Sequence, residues 1–257
     1  MPDSERLLAA LLMNAALPLT RTLLAERPRL ARRYGGWNRA VQFQVVGDPD
    51  LACHLQFTDG QLAFVRGRHR SPTIDFRFRR PATFNALLTG RPALPAIRGV
   101  LRDPGTLLGV LPLLLGLTIL LPGKRPRDPA GRALKVRLLL YFITVALSQL
   151  NRVGDPGMRR FTAEMPDRIF QWSVEPGGPA AYLRVCQGKT KAGKGLYLGR
   201  RPFVHMRFAS VDAAFLVLAG QVDNVEAMRR GMLVVDGSPE YSKDISTIMK
   251  RIEALIA

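Results

Sequence analysis

The sequence contains two copies of one pattern, about 130 residues apart. Glycines, prolines and apolar residues recur in the same order, and the matched pairs are Phe43-Gln44 and Phe170-Gln171, Leu55 and Leu183, Gly60 and Gly188, Gly67 and Gly195, Pro72 and Pro202, Arg77-Phe78 and Arg207-Phe208, Leu88 and Leu218, Gly90 and Gly220, and Gly99-Val100-Leu101 and Gly231-Met232-Leu233. Two copies of this length predict two domains of the same fold, which we place at residues 1–125 and 126–257.

The composition favours folded domains with an anionic partner. With 47% hydrophobic residues, each copy can bury a core, and disorder is excluded for most of the chain. The net charge of +18 indicates nucleic acid, a phospholipid surface or phosphorylated ligands, although a high-GC genome is an alternative source of the arginines. Cys53 and Cys186 occupy non-equivalent positions. This indicates reduced thiols and a cytoplasmic protein rather than a duplicated disulfide.

Alternation of apolar and polar residues predicts the strands, and apolar residues at helical spacing predict the helices. The first copy has a helix over 5–24, strands over 41–45, 53–57, 62–65 and 74–79, and a helix over 82–88 that ends at Gly90. The second copy has strands over 170–174, 182–186, 204–208 and 232–235, and helices over 211–219 and 241–256. Ser210 is a candidate N-cap of the first of these helices.

Two segments in the middle of the chain, 107–121 and 138–150, are unusually apolar. A membrane-spanning helix needs about 20 apolar residues. The first segment has 15 and contains Pro112 and Gly116, so a buried or interface-lying helix is favoured over a span. The apolar stretch over 7–19 lacks the basic flank of a signal peptide and is predicted to be an amphipathic helix.

Motifs for catalysis and metal binding are incomplete. Residues 188–195 resemble a phosphate-binding loop, but Gly195 stands where a Ser or Thr is needed and a strand follows, so we predict a hairpin. His54, His69 and His205 have no Cys, Asp or Glu at metal-ligand spacing, and no Ser lies in a nucleophile elbow. The sequence therefore predicts no catalytic residues, no metal and no cofactor.

Basic residues cluster on a hairpin and its neighbouring strand in both copies. The cluster consists of Arg66, Arg68, Arg70, Arg77, Arg79 and Arg80 in the first copy, and of Lys189, Lys191, Lys194, Arg200, Arg201 and Arg207 in the second. A solvated sheet face and an anionic membrane surface both explain such a cluster. Nucleic acid is disfavoured because aromatic residues do not alternate with the charges.

The order of elements resembles the sterol carrier protein type two family of lipid-binding domains. The second copy carries the strand 203–208, the helix and glycine over 210–220, and the Gly-x-apolar strand over 231–237. The first copy carries 74–78, 84–90 and 99–101, but Arg102-Asp103-Pro104-Gly105 replaces its expected last strand. The resemblance implies an α+β fold with two related domains, each a mainly antiparallel sheet covered by apolar helices around a lipid tunnel, without catalysis.

The predicted function is non-enzymatic binding or transfer of a hydrophobic lipid, such as a sterol, hopanoid, prenylated quinone or fatty acyl chain. The candidate ligand-binding residues are Phe76, Phe78, Phe84 and Leu88 in the first copy and Met206, Phe208, Phe215 and Leu218 in the second. Segment 107–121 is predicted to be a lid or wall. The expected partners are the lipid and the anionic inner face of the membrane, with an enzyme partner or a homodimer left open. The alternatives are a scaffold in lipid metabolism without its own ligand and a protein anchored in the membrane by 107–121.

Overall fold

The computed structural model describes residues 4–256, apart from the side chain of Pro239. The chain forms two compact units, Met1–Ile119 and Leu120–Ala257. Each unit contains one five-stranded sheet and a set of helices, with one parallel and three antiparallel strand pairs. The predicted α+β class with a mainly antiparallel sheet in each half is confirmed.

The first unit has the strand order β3-β2-β1-β4-β5. Its strands are β1 (Arg39–Val45), β2 (Ala52–Thr58), β3 (Gln61–Arg66), β4 (Ile74–Phe78) and β5 (Ala96–Arg98). Its helices are α1 (Ser4–Leu11), α2 (Leu19–Glu26), α3 (Pro28–Ala31), α4 (Pro81–Leu88) and α5 (Pro104–Leu117), with a π-helical turn (Leu12–Ala16) and two 3-10 turns (Arg32–Tyr34 and Thr118–Leu120).

The second unit has the equivalent strand order, read from the other edge as β10-β9-β6-β7-β8. Its strands are β6 (Arg168–Val174), β7 (Ala180–Cys186), β8 (Lys189–Lys194), β9 (Val204–Phe208) and β10 (Leu233–Gly237). Its helices are α6 (Pro129–Arg152), α7 (Pro156–Ala163), α8 (Val211–Leu218), α9 (Asn224–Arg229) and α10 (Pro239–Ile256). The Ser210 hydroxyl accepts a hydrogen bond from the Ala213 N–H, which confirms the predicted N-cap of α8.

The turns of the two units match as predicted. Asp59-Gly60 joins β2 to β3, and Gln187-Gly188 joins β7 to β8, and all four residues have positive φ. This conformation is typical of tight hairpins whose twist matches the strands. The segment that resembles a phosphate-binding loop is therefore a hairpin, as predicted. Gly90 and Gly220 end α4 and α8 in the same left-handed conformation.

The strand register corrects one predicted match. Val41 pairs with Ile74, as Phe170 pairs with Val204 in the second unit. Phe43 is therefore equivalent to Trp172, and the match of Phe43-Gln44 with Phe170-Gln171 is wrong by two residues. A shift of two keeps apolar residues on the same sheet face, so the alternation of the sequence does not reveal it.

The first unit keeps its last strand, contrary to the prediction. The strand β5 precedes Gly99 and pairs with β4, as β10 pairs with β9. Phe76 faces Ile97 where Met206 faces Val235, so Gly99 corresponds to Gly237 rather than to Gly231. The strand was missed because it has only three residues and lies on the other side of the glycine that was used for the match.

The apolar segment 107–121 is the closing helix of the first unit. The helix α5 follows β5 and Gly99, as α10 follows β10 and Gly237. It buries Val110, Leu113, Leu114 and Leu117 within the unit. The first unit has no helix equivalent to α9 among its described residues, because only seven residues separate α4 from β5.

Two helical segments are long and apolar enough to cross a membrane, by length and composition alone. They are Ser4–Glu26 and Pro129–Arg152, and the helix Pro104–Leu120 is apolar but shorter. In the two long segments, 78% and 67% of the apolar window is buried inside the protein. Core helices of folded domains show burial of this extent.

Candidate functional site

The second unit contains an apolar cavity of about 520 Å³. The helix α6 contributes Leu139, Phe142 and Ile143 to its wall. The sheet contributes Trp172, Met206, Phe208 and Leu233, and the helices α8 and α10 contribute residues such as Val217, Leu218, Met249 and Ile252. The size and the apolar lining are those of a site for a small hydrophobic ligand.

Three of the four residues predicted for the second copy line this cavity: Met206, Phe208 and Leu218. Val204, Met206 and Phe208 are buried while His205 and Arg207 are partly exposed, so one face of β9 points inward. The fourth residue, Phe215, is buried on α8 and is not among the residues that line the cavity.

Three of the four residues predicted for the first copy, Phe76, Phe78 and Phe84, pack against aromatic rings. Phe76 stacks on Phe43 with ring centroids 5.1 Å apart, and Phe78 meets Phe84 edge to face at 5.2 Å. Leu88 is buried at the end of α4. Because Gly90 is equivalent to Gly220, Phe84 corresponds to Ala214 in the second unit. The second unit thus has a methyl group where the first has a phenyl ring.

Lys135 is a polar residue in the cavity wall and is only 1% exposed. Its ammonium Nζ donates hydrogen bonds to the carbonyl oxygens of Leu121, at 2.8 Å, and Lys124, at 2.6 Å. Burial, together with the nearby Arg125 charge, lowers the pKa of Lys135 to about 8. Among the described residues, no carboxylate forms an ion pair with it.

Trp172 supplies a second polar group to the wall. The residue is 1% exposed, and its indole Nε1 is buried without a hydrogen-bond partner. Indole N–H is a donor only, and leaving a buried donor unpaired costs about 1–3 kcal/mol. The equivalent residue of the first unit is Phe43, which has no such donor.

The charged residues of the cavity rim are exposed. They are Asp223, Lys250 and Glu253. The Asp223 carboxylate accepts hydrogen bonds from the Val225 and Glu226 N–H groups and so caps α9. The lining is therefore mostly apolar, with Lys135 and Trp172 buried in it, Asn224 and Ser246 half-buried, and charges of both signs at the rim.

The basic clusters are only partly solvated. Arg66, Arg68 and Arg70 are exposed, as are Lys189 and Lys191. In the second unit, Arg207 pairs with Asp236 at 2.7 Å, and Arg184 and Arg200 both pair with Asp167. A polar pocket of about 460 Å³ lies beside these ion pairs. Its lining contains three arginines, Arg168, Arg200 and Arg201, and two acids, Asp167 and Asp236, so the pocket keeps a net positive charge.

The described part of the chain holds no group of three His, Cys, Asp or Glu side chains that could bind a metal ion. Cys53 and Cys186 are both free thiols, and burial raises the pKa of the Cys53 thiol. His205 donates to or accepts from the Ser173 hydroxyl at 2.8 Å, and burial lowers the pKa of its imidazole.

The sequence reasoning missed Lys135 and Trp172. A signal for each was present: Lys135 interrupts the apolar helix over 129–152, and Trp172 stands where the first copy has Phe43. The second signal is visible only with the register of β6, which the sequence match misplaced by two residues.

No protein-family model matches the sequence, and no curated protein shows significant similarity to it. Among solved structures, the chain is similar to a ubiquinone synthesis protein described as UbiJ-SCP2, with 11% identity, a TM-score of 0.32, and coverage of 43% of this chain and 95% of that chain. It is similar to sterol carrier protein 2 from Yarrowia lipolytica in its apo form, with 20% identity, a TM-score of 0.30, and coverage of 42% and 89%. It is also similar to the inverting sec-alkylsulfatase Pisa1 from Pseudomonas sp., with 14% identity, a TM-score of 0.26, and coverage of 58% and 28%.

Proposed function

We propose that the protein binds and transfers a hydrophobic lipid in the cavity of its second unit, without catalysing a reaction. The observation that supports this proposal is the apolar cavity of about 520 Å³ between the sheet and the helices α6, α8 and α10. Transfer of an alkyl chain from water into such a space is favourable by about 0.8 kcal/mol for each buried methylene. A sterol, hopanoid, prenylated quinone or fatty acyl chain has the apolar surface to gain from it.

The chemistry of the lining supports a carrier rather than an enzyme. Acyl transfer or hydrolysis needs a nucleophile with an adjacent base. The described residues of the lining include no His and no Cys, and its one serine, Ser246, is half-buried on α10. The lining is mostly apolar, and its acids, Asp223 and Glu253, are exposed at the rim.

Lipid extraction tests this proposal. Protein purified without detergent should carry lipid that mass spectrometry detects, and Leu218→Trp should lower the lipid content at least about tenfold because the indole fills the cavity. Val225→Trp is the matched control, because Val225 is exposed on α9 and outside the cavity. A wild-type protein that carries no lipid and binds none when it is added would instead favour a scaffold without a ligand.

We also propose that the carrier acts in the cytoplasm and docks peripherally on anionic membranes. The exposed Arg66, Arg68, Arg70, Lys189 and Lys191 support this, because each basic side chain near an anionic surface contributes about 1 kcal/mol. Some of this charge is offset by the ion pairs of the second unit, so the hairpin of the first unit is the stronger candidate.

The outer face of α5 supports the same proposal. Leu108, Leu111 and Leu115 are exposed on one side of this helix, and Leu101 is exposed just before it. The equivalent helix α10 exposes charged residues instead of a leucine stripe, among them Lys243, Asp244 and Arg251. Exposed arginines, Arg98 and Arg102, flank the leucines. An apolar stripe with basic neighbours fits the interface of an anionic bilayer.

A further inference from the structure

Two hydrogen-bond donors in the cavity wall have unmet capacity. The Lys135 ammonium has three N–H groups, and two of them bond to the Leu121 and Lys124 carbonyls. The Trp172 Nε1 has no acceptor. Both residues are 1% exposed and both line the same cavity. The Nε1 atom of Trp172 is fully buried, so a ligand in the cavity reaches it only if the indole ring shifts, whereas one acceptor beside the ammonium would complete the hydrogen bonding of Lys135.

The charge at Lys135 is also uncompensated. Lysine is almost never fully buried unless it is paired with an acid. Here two neutral carbonyls surround the ammonium, Arg125 adds positive charge nearby, and no carboxylate among the described residues pairs with it. The acids of the lining, Asp223 and Glu253, are exposed at the rim, and Asp223 is already bonded to the start of α9.

The first unit shows that the fold does not require these donors. The position of Trp172 is occupied there by Phe43, which stacks on Phe76 inside the core. The helix α1, which precedes the sheet as α6 does, contains no lysine. The donors are therefore particular to the unit that contains the cavity described above.

We infer that the lipid of this cavity carries an anionic hydrogen-bond acceptor, a carboxylate or a phosphate, which binds Lys135. The inference rests on the proposed lipid-binding function and narrows its ligand class. Charge-assisted hydrogen bonds to a buried ammonium are about twice as strong as neutral ones. A lipid with a neutral head group would leave the buried charge unpaired, so the wall discriminates by charge as well as by shape.

Three ligands with the same alkyl chain test the inference by calorimetric titration of the delipidated full-length protein near pH 7. Palmitate carries a carboxylate, hexadecyl phosphate a phosphate, and methyl palmitate a neutral ester. We expect palmitate or hexadecyl phosphate to bind at least about tenfold more tightly than methyl palmitate, a difference of about 1.4 kcal/mol. The stronger of the two anions then identifies the head group.

Substitutions of Lys135 and Trp172 test the contribution of each donor to ligand binding. Lys135→Met should bring palmitate and methyl palmitate within about twofold of each other, whereas Lys135→Arg should retain a preference for the anion. Trp172→Phe, which copies the first unit, should leave the preference for the anion unchanged, because the buried Nε1 is closed to the ligand. Lys243→Met removes the same charge from the exposed face of α10 and should keep the wild-type ratio.

The outcomes distinguish this inference from the proposed function. If the wild type binds the neutral ester as tightly as the anions, or if Lys135→Met keeps the anion preference, Lys135 only ties down the 121–124 loop and the inference is wrong. Should none of the three ligands bind the wild type, the lipid-binding function itself fails. The comparison of ligands on the wild type decides the question even if a variant does not fold.

Discussion

Lys135 is the residue whose setting is most unusual in this protein. Its ammonium is buried against the carbonyls of Leu121 and Lys124 in a wall that is mostly apolar. Removing a charge from water is costly unless it is paired, and part of that cost appears here as a lowered pKa. The residue therefore links the stability of the second unit to pH and to the occupant of the cavity.

The stability of the ligand-free protein should report this link. The pKa of Lys135 is about 8 in the folded state and 10.5 as its reference value, so the unfolded chain binds more protons between these pH values. Stability then rises with pH across that window, and the charge is fully destabilising below it. Relative to Lys135→Met, wild-type protein should gain on the order of 1–2 kcal/mol between about pH 7.5 and about pH 10 in urea denaturation. A constant difference would show that Lys135 is effectively solvated.

Gly99 is constrained by a close approach of the backbone. Its φ is +90°, and a Cβ atom there would collide with the carbonyl oxygen of Thr73. Gly237 meets the carbonyl of Phe203 in the same way. Gly99→Ala should cost about 3 kcal/mol or more in unfolding free energy. Gly47→Ala, at φ +89° but in open space, should cost only about 1 kcal/mol, and equal costs would contradict the clash.

At the scale of elements, the two closing helices occupy equivalent positions in their units but present different outer surfaces. Both α5 and α10 follow the last strand of their sheet and bury one apolar face. The outer face of α10 is charged, whereas that of α5 carries exposed leucines. Burial of the inner face holds the helix in place, and the outer face is free to specify a partner. Adjacent residues of α5 should therefore respond very differently to a charge.

Leu114 and Leu115 provide this test. Leu114 is 8% exposed and Leu115 is 67% exposed. Leu114→Asp should destabilise the protein by about 3–5 kcal/mol, because it removes a buried side chain and places a carboxylate in the core. Leu115→Asp should change stability by less than about 1 kcal/mol. Thermal or chemical denaturation measures both, and a similar loss in the two variants would mean that the outer face is covered.

At the scale of the whole molecule, a duplicated fold combines an apolar cavity in the second unit with a strongly basic, partly apolar surface. The net charge of +18 is spread over both halves, but the exposed leucine stripe lies on the first unit. Exposed charges are screened over about 8 Å at physiological salt, whereas apolar contacts persist. The proposed membrane docking should therefore have a salt-sensitive and a salt-resistant part.

Co-sedimentation with vesicles separates the two parts. Arg66→Gln, Arg68→Gln and Arg70→Gln together should weaken binding to anionic vesicles at low salt and reduce its salt dependence. Leu108→Ser with Leu115→Ser should weaken the binding that persists at high salt, while Val225→Ser, an exposed apolar residue on α9, should not. Equal binding of the wild type to neutral and anionic vesicles would exclude the electrostatic role. An oligomer that dissociates in the leucine variant would point to a second copy instead.

The sequence by itself determined the local elements and the duplication. Alternation with a period of two predicted β4 and β9, and glycines that need positive φ placed the hairpins at Gly60 and Gly188. These signals are local, because pleat direction and backbone dihedrals depend on neighbouring residues. The inward residues Met206, Phe208 and Leu218 follow from the same alternation and helical spacing.

Only the tertiary structure decided the register of the copies and the polar groups of the cavity. A shift of two residues preserves the pattern of a strand, so the pairing of β1 with β4 was needed to align Phe43 with Trp172. Lys135 lies on α6 and Trp172 on β6, and nothing local in the chain shows that both side chains line one wall. That arrangement arises from long-range packing of a helix on a sheet, whose free energy is shared among many contacts and is not encoded in any short segment.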